Sequence, residues 1–262
     1  MNMKTTTNSS LSARAFGFSL PNLTQFTFVF LLFFANAQMA AQPVSDANSA
    51  TEKGHNATSI TIPNFSVPAN DDRLLVVCAL NSANATPPAI TFESSSMTQG
   101  LSHEQGGLVV TMYYLVLGSS ASATSGTVTA TGNNLYYLSA TSFHNVDQSD
   151  PTDGENYSSI SGTATSSVLT VNSSPNGLVC DAFGYFAPSG ATDITEGMGQ
   201  TLLFKRADST PLLIRFGSST KAGASPSVTM NWTVAGTPTS GSGTHIGMNL
   251  RGLPTCPAAG SI

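Results

Sequence analysis

Apolar and small polar residues alternate along "TSITIPNFSV" (residues 58–67) and "GTVTATG" (residues 126–132), the period of a strand with one buried face. Longer apolar runs follow the same rhythm of short segments. They are "RLLVVCAL", "LVVTMYYLVL", "LYYLSATSF", "GLVCDAFGYF", "TLLFKR", "PLLIRF", "SVTMNWTV" and "HIGMNL". Turn-forming clusters separate them: "NSANATPP", "LGSSASATSG", "NSSPNG", "APSGATD" and "TPTSGSG". About a dozen short strands at this spacing predict an all-β chain, an antiparallel β-sandwich of jelly-roll type. One layer pair is the expected arrangement. No internal repeat of fixed period is visible, which argues against a solenoid or propeller.

The first segment stands apart from that pattern. Lys4 and Arg14 give a positive start, "FTFVFLLFFANA" (residues 26–37) an apolar core, and Ala35-Asn36-Ala37 a small-x-small cleavage pattern. The run is about half the ~20 residues a spanning helix needs, so residues 1–37 are expected to be a cleaved signal peptide. The domain plan is then a flexible segment over 38–57, a β-sandwich over 58–251 and a linker-like tail over 252–262. The expected place is outside the cell or on its surface, with no membrane insertion after cleavage.

Composition narrows the function. Charged residues are 9% of the chain, against ~25% in an ordinary soluble domain. Cleavage would remove Lys4 and Arg14 from nine basic side chains, leaving seven against fourteen acidic ones. Lys205-Arg206 is the one basic pair, too little to neutralise a phosphate backbone, so nucleic acid is not an expected partner. Cys78 and Cys180 lie inside apolar runs, where cysteine serves as a small hydrophobe. Export also allows a bridge between them. Cys256 sits in the tail, and no Cys-x-x-Cys or paired histidine gives a zinc pattern.

"NDDRLLVVCAL" (residues 70–80) resembles the Asn-Arg-Leu-Leu-Val-Val opening of a β-sandwich module common in secreted and surface proteins of bacteria. Further similar fragments follow in order: "MYYLVLGSSASATSGTVTAT", "SFHNVDQSDP", "NGLVCDAF" and "SVTMNWTV" with the single Trp232. Together they span residues 59–250. Two places depart from the module. "FESSSMT" replaces its Gly-Gly turn, and acidic residues are inserted after Val146-Asp147-Gln148. The resemblance implies a structural or binding sandwich, often beside adhesion-type repeats, with no established catalytic residue.

"FHNVDQSDPTDGE" (residues 143–155) holds the densest chemistry. Asp147, Asp150, Asp153 and Glu155, with Gly154 permitting a sharp bend, have the oxygen-rich composition that calcium takes. The spacing is not that of an EF-hand, and Asp with Pro151 also makes an ordinary strand exit. Asp71 and Asp72 are expected to guard a strand edge, with Arg73 paired to one of them. Tyr113-Tyr114 and Tyr136-Tyr137 each split across a strand, so one ring belongs to the core while the other is exposed or covered by a second sheet. Trp232 is expected inside. There is no Gly-x-Ser-x-Gly elbow, and His55, His103, His144 and His245 lie in separate segments.

These features order the expectations. First comes an exported, non-catalytic surface module with a structural or adhesive use, whose partners are a surface polymer, a glycan or another surface protein. Second is a carbohydrate-binding domain, with calcium as the candidate cofactor. Third is a secreted hydrolase.

Overall fold

The computed structural model describes residues 41–82, 86–186, 189–208 and 213–254. The expected signal peptide, Cys256 and the last residues of the tail lie outside these. Sixteen strands, all pairing antiparallel, make the described residues an all-β sandwich of jelly-roll type. Strand pairing reaches back to Val44, into the stretch expected to be flexible.

The layers number four, not two. β2 (Ala50–Val67), β3 (Asn70–Ser82), β4 (Ala89–Phe92), β6 (Thr98–Gln105), β7 (Leu108–Ser120) and β8 (Thr124–His144) dominate the first sheet. β1 (Val44–Ser45) and β5 (Ser95–Ser96) extend it. The 21-residue β8 spans two layers of this sheet. Its first half lies between β2 and β4, and its second half pairs with β3. Asn134 takes φ 53° where the strand passes from one layer to the other. Ile60, Ile62, Phe92 and Val128 from the outer layer then meet Leu75, Val77 and Leu138 from the inner one.

The second half repeats the plan. β9 (Thr152–Gly162), β11 (Leu178–Phe186), β13 (Thr201–Ala207), β14 (Ile214–Ala222) and β16 (Gly241–Leu250) form an inner sheet ordered β13-β14-β11-β16-β9. β10 (Ser166–Asn172), β15 (Ser227–Gly236) and β12 (Ala191–Glu196) form its outer sheet. The registers coincide. Ile62 faces Val128 and Ile60 faces Ala130 in the first half; Val171 faces Val228 and Leu169 faces Met230 in the second. Leu74 faces Phe143, and Leu178 faces Leu250. The fold is a jelly roll duplicated within one chain.

The two inner sheets pack face to face. Leu74, Val76, Cys78 and Leu80 of β3 meet Cys180, Ala182, Phe216, Ile246 and Met248 across this junction. β3 and β11 are therefore apolar on both faces, because each lies between two other layers. At the junction a Cβ on Gly184 would meet Val110 Cγ2 at 2.7 Å and Leu80 Cδ1 at 2.8 Å. Glycine lets the two sheets approach there.

Glu93, in the turn between β4 and β5, adopts φ 53°. Its Oε1 accepts from the Thr127 amide at 2.6 Å, which offsets the cost of a left-handed non-glycine residue.

Candidate functional site

The acidic stretch leaves β8 and enters β9. Asp147 Oδ1 accepts from the Ser149 amide (2.9 Å) and hydroxyl (2.6 Å), an Asx turn. The Ser149 hydroxyl, ahead of the backbone amides and Arg251, holds the Asp147 carboxyl below its usual range. Asp150 pairs with Arg251 Nη1. Asp153 Oδ1 accepts from Asn249 Nδ2 at 2.7 Å, and its Oδ2 lies 3.9 Å from Arg251 Nε. Glu155 is exposed on β9. Gly154 does bend the chain, at φ 64°, against the Asn172 carbonyl. Among the described residues no three His, Cys, Asp or Glu side chains gather as a metal set. The cation beside Asp150 and Asp153 is Arg251.

The duplication explains this arrangement. Ser45 faces Phe143, as Thr152 faces Leu250. Asp46 therefore corresponds to Asp153, Ser142 to Asn249 and His144 to Arg251. Asp46 Oδ2 accepts from the Ser142 hydroxyl, and Oδ1 from Asn70 Nδ2 at 3.0 Å. His144 Nδ1 lies 2.7 Å from the same Oδ1. The carboxylate is sealed while the imidazole stays partly exposed. Both halves thus use a carboxylate and a basic side chain to fasten the first strand to the last. Sequence reading missed Asp46 because it lies 98 positions before His144.

A second network lies inside the later sandwich, between β11 and the sheet over it. Asp181 Oδ1 accepts from the Ser219 amide and hydroxyl, both at 2.8 Å. Its Oδ2 accepts from Trp232 Nε1–H at 2.9 Å and from His245 Nε2–H at 3.0 Å. His245 Nδ1 faces the Ser167 hydroxyl at 3.1 Å, which in turn lies 3.2 Å from Ser158 Oγ. Serine, histidine and aspartate in line would serve nucleophilic chemistry in an open cleft. Here Ser167, His245 and Asp181 are fully buried. Four donors to one carboxylate compensate the loss of water, so this network ties strands together. An aspartate inside "LVCDAF" and a histidine opening "HIGMNL" were its signals in the sequence.

Arg73 does not pair with Asp71 or Asp72 as expected. Asp72 takes φ 49° at the strand start. The buried Arg73 guanidinium donates instead to Gly118 O (Nε, 2.8 Å), Leu117 O (Nη2, 3.3 Å) and Thr124 Oγ1 (Nη1, 3.1 Å). Ala69, Asn70, Asp71, Ser119, Ser120 and Ala121 line an open hollow of about 510 Å³ at this end of the first sandwich.

Trp232 is fully buried. Tyr113 and Tyr137 are buried, and Tyr114 and Tyr136 pack half-buried against the core between the inner sheets. Among the described residues, the exposed aromatic is one the sequence reading did not single out. Tyr157, on edge strand β9, is 53% exposed and stacks on His103 of β6 with centroids 3.7 Å apart and planes 18° apart. Cys78 and Cys180 are free thiols facing the same core.

No family model matches the chain, and no curated protein matches it. Two of the solved structures that match are similar at a low level. The STIV MCP crystal structure has a TM-score of 0.24 and 11% identity, over 84% of this chain and 99% of that one. Oxalate decarboxylase from Bacillus subtilis at pH 4.6 has a TM-score of 0.15 and 6% identity, over 81% of this chain and 76% of that one.

Proposed function

We propose that the chain is an exported, non-catalytic β-sandwich module with a structural or adhesive use outside the cell or on its surface. Its partner is a surface polymer, a glycan or another surface protein. The observation that carries this reading is how the ionisable side chains are used. Asp181 and His245 are sealed between sheets, Arg73 is caged by carbonyl oxygens, and Asp46, Asp150 and Asp153 fasten strand ends. Such groups make a rigid scaffold, and the Ser/Thr-rich loops at its ends are left for contact. The sequence supports export through residues 1–37, and its resemblance to bacterial surface modules points the same way.

One observation favours carbohydrate binding as a second reading. Tyr157 presents a ring to solvent on an otherwise weakly charged surface, as sugar-binding sandwiches do.

A glycan and polysaccharide array probed with the mature chain, in calcium and in EDTA, separates the two. The structural reading with a protein partner leaves the array blank in both buffers. Saturable binding to one glycan class would replace it with the second reading, and binding lost in EDTA would add calcium to it.

A further inference from the structure

Tyr157 combines two properties that rarely coincide: its ring is exposed, and it is held still. His103 covers one face of the ring at 3.7 Å. His103 is itself fixed, since its Nε2 lies 3.0 Å from Ser159 Oγ. Burial lowers the affinity of His103 for a proton, against the opposing pull of Glu104, so a neutral imidazole backs the ring at neutral pH. From below, Asn156 Oδ1 accepts from the Tyr157 amide at 2.9 Å while its Nδ2 donates to Thr170 O at 2.7 Å. The ring therefore stands at the junction of the two sandwiches, supported by β6 of one and β9 of the other. Ser242 Oγ donates to Gly106 O at 2.9 Å and closes the same junction nearby.

A structural clip would need only the inner face of the ring. Here the outer face is left to water. Among the described residues, the other exposed large apolar side chains are Val44, Val116, Val168, Met198 and Leu202, none of them aromatic. A flat ring that is pre-positioned loses little rotamer freedom when a ligand stacks on it. Glu104 acts electrostatically on His103, and Glu155 and Ser159 are exposed on β9 two positions to either side of Tyr157, offering oxygen acceptors and a hydroxyl. With carboxylates on both flanks and no cation among these groups, an anionic ligand would be repelled.

We infer that Tyr157, backed by His103, is a stacking platform for the C–H face of a neutral pyranose, with Glu155 and Ser159, two positions to either side of it on β9, available for its hydroxyls. This rests on the carbohydrate-binding reading above and gives that reading its site. A chain of such sugars, not a single one, is the expected ligand, because one platform on an open surface contributes modest affinity.

Affinity electrophoresis through native gels tests it. The gels carry dextran, laminarin, hydroxyethylcellulose or xylan, with polygalacturonate as the anionic control. The mature chain should be retarded by at least one neutral polymer and not by polygalacturonate. Tyr157→Ala should weaken that retention by about tenfold or more, and Tyr157→Phe should keep it within about threefold. Tyr157→Leu, which keeps apolar bulk against His103, should lose retention while melting like the wild type. Retention equal in the wild type and in Tyr157→Leu would overturn the assignment of Tyr157 and leave the carbohydrate-binding reading standing. Retardation by polygalacturonate alone would overturn the neutral-sugar assignment. No retardation by any polymer would overturn the carbohydrate-binding reading, and the platform with it.

Discussion

Trp232 donates its indole N–H to Asp181 Oδ2 at 2.9 Å, wholly inside the second sandwich. The bond joins the inner sheet, through β11, to the outer sheet, through β15. His245 and Ser219 bring β16 and β14 to the same carboxylate, so one side chain links four strands. Asp181→Ala would strand three buried donor side chains. A loss of about 3–5 kcal/mol in unfolding free energy is expected, measured by urea denaturation. A loss below about 1 kcal/mol would mean the network adds little.

Gly217 lies directly under the same indole. A Cβ there would meet Trp232 Cη2 at 2.6 Å and Cζ3 at 2.9 Å. The ring cannot swing aside without breaking its bond to Asp181. Gly217→Ala is therefore expected to destabilise by about 1–3 kcal/mol, although alanine suits a strand better than glycine. Equal or higher stability in the same denaturation series would contradict this packing.

Much of the fold was legible in the sequence, and specific residues show where legibility stopped. Alternation located the second part of β2 and the first half of β8, whose inward residues Ile60, Ile62, Phe65, Val67, Val128 and Ala130 are all buried. The unbroken run "RLLVVCAL" reads as a strand but also says more. A strand apolar on both faces must be covered on both sides, which here means a third and a fourth layer. The duplication could not be read by eye. Ile60 and Ala130 share only their apolar class with Leu169 and Met230, and the repeat lives in hydrogen-bond register. The acidic stretch was legible as a strand exit, with Asp147 in an Asx turn. Its partners Asn249 and Arg251, about a hundred positions away, were beyond any local pattern.

Burial pushes the Cys78 thiol up to about 12 and the Cys180 thiol well above its ordinary value. Thiolate is the reactive form, so both should react with iodoacetamide in the folded protein at least about a thousandfold more slowly than an exposed cysteine. Both should react fully in denaturant. Mass spectrometry with and without denaturant reads this directly. A species two mass units light that resists alkylation in denaturant would instead identify a disulfide.

Asp208 gives a pH dependence. Burial alone would raise its carboxyl, but bonds from Lys53 (2.6 Å) and from the Tyr137 hydroxyl outweigh that and hold it below its ordinary value. A carboxyl lowered in the folded state stabilises above the unfolded value of about 3.9, and that stability is lost as pH falls through the folded value. Urea midpoints should thus drop between about pH 5 and about pH 3, and less steeply in Asp208→Asn. Asp147 and Asp193, also lowered, leave a remaining slope in that variant. Identical slopes would remove Asp208 from the explanation.

Differential scanning calorimetry of the mature chain in millimolar calcium and in EDTA tests the scaffold reading most directly. With Arg251 against Asp150 and Asp153, a cation of the chain itself already stands in the acidic corner. The predicted result is one melting temperature shared by both buffers to within about 1 °C, because a ligand raises it only by binding the folded state. A rise of several degrees in calcium, abolished by Asp150→Ala, would contradict it and make the corner a cation site.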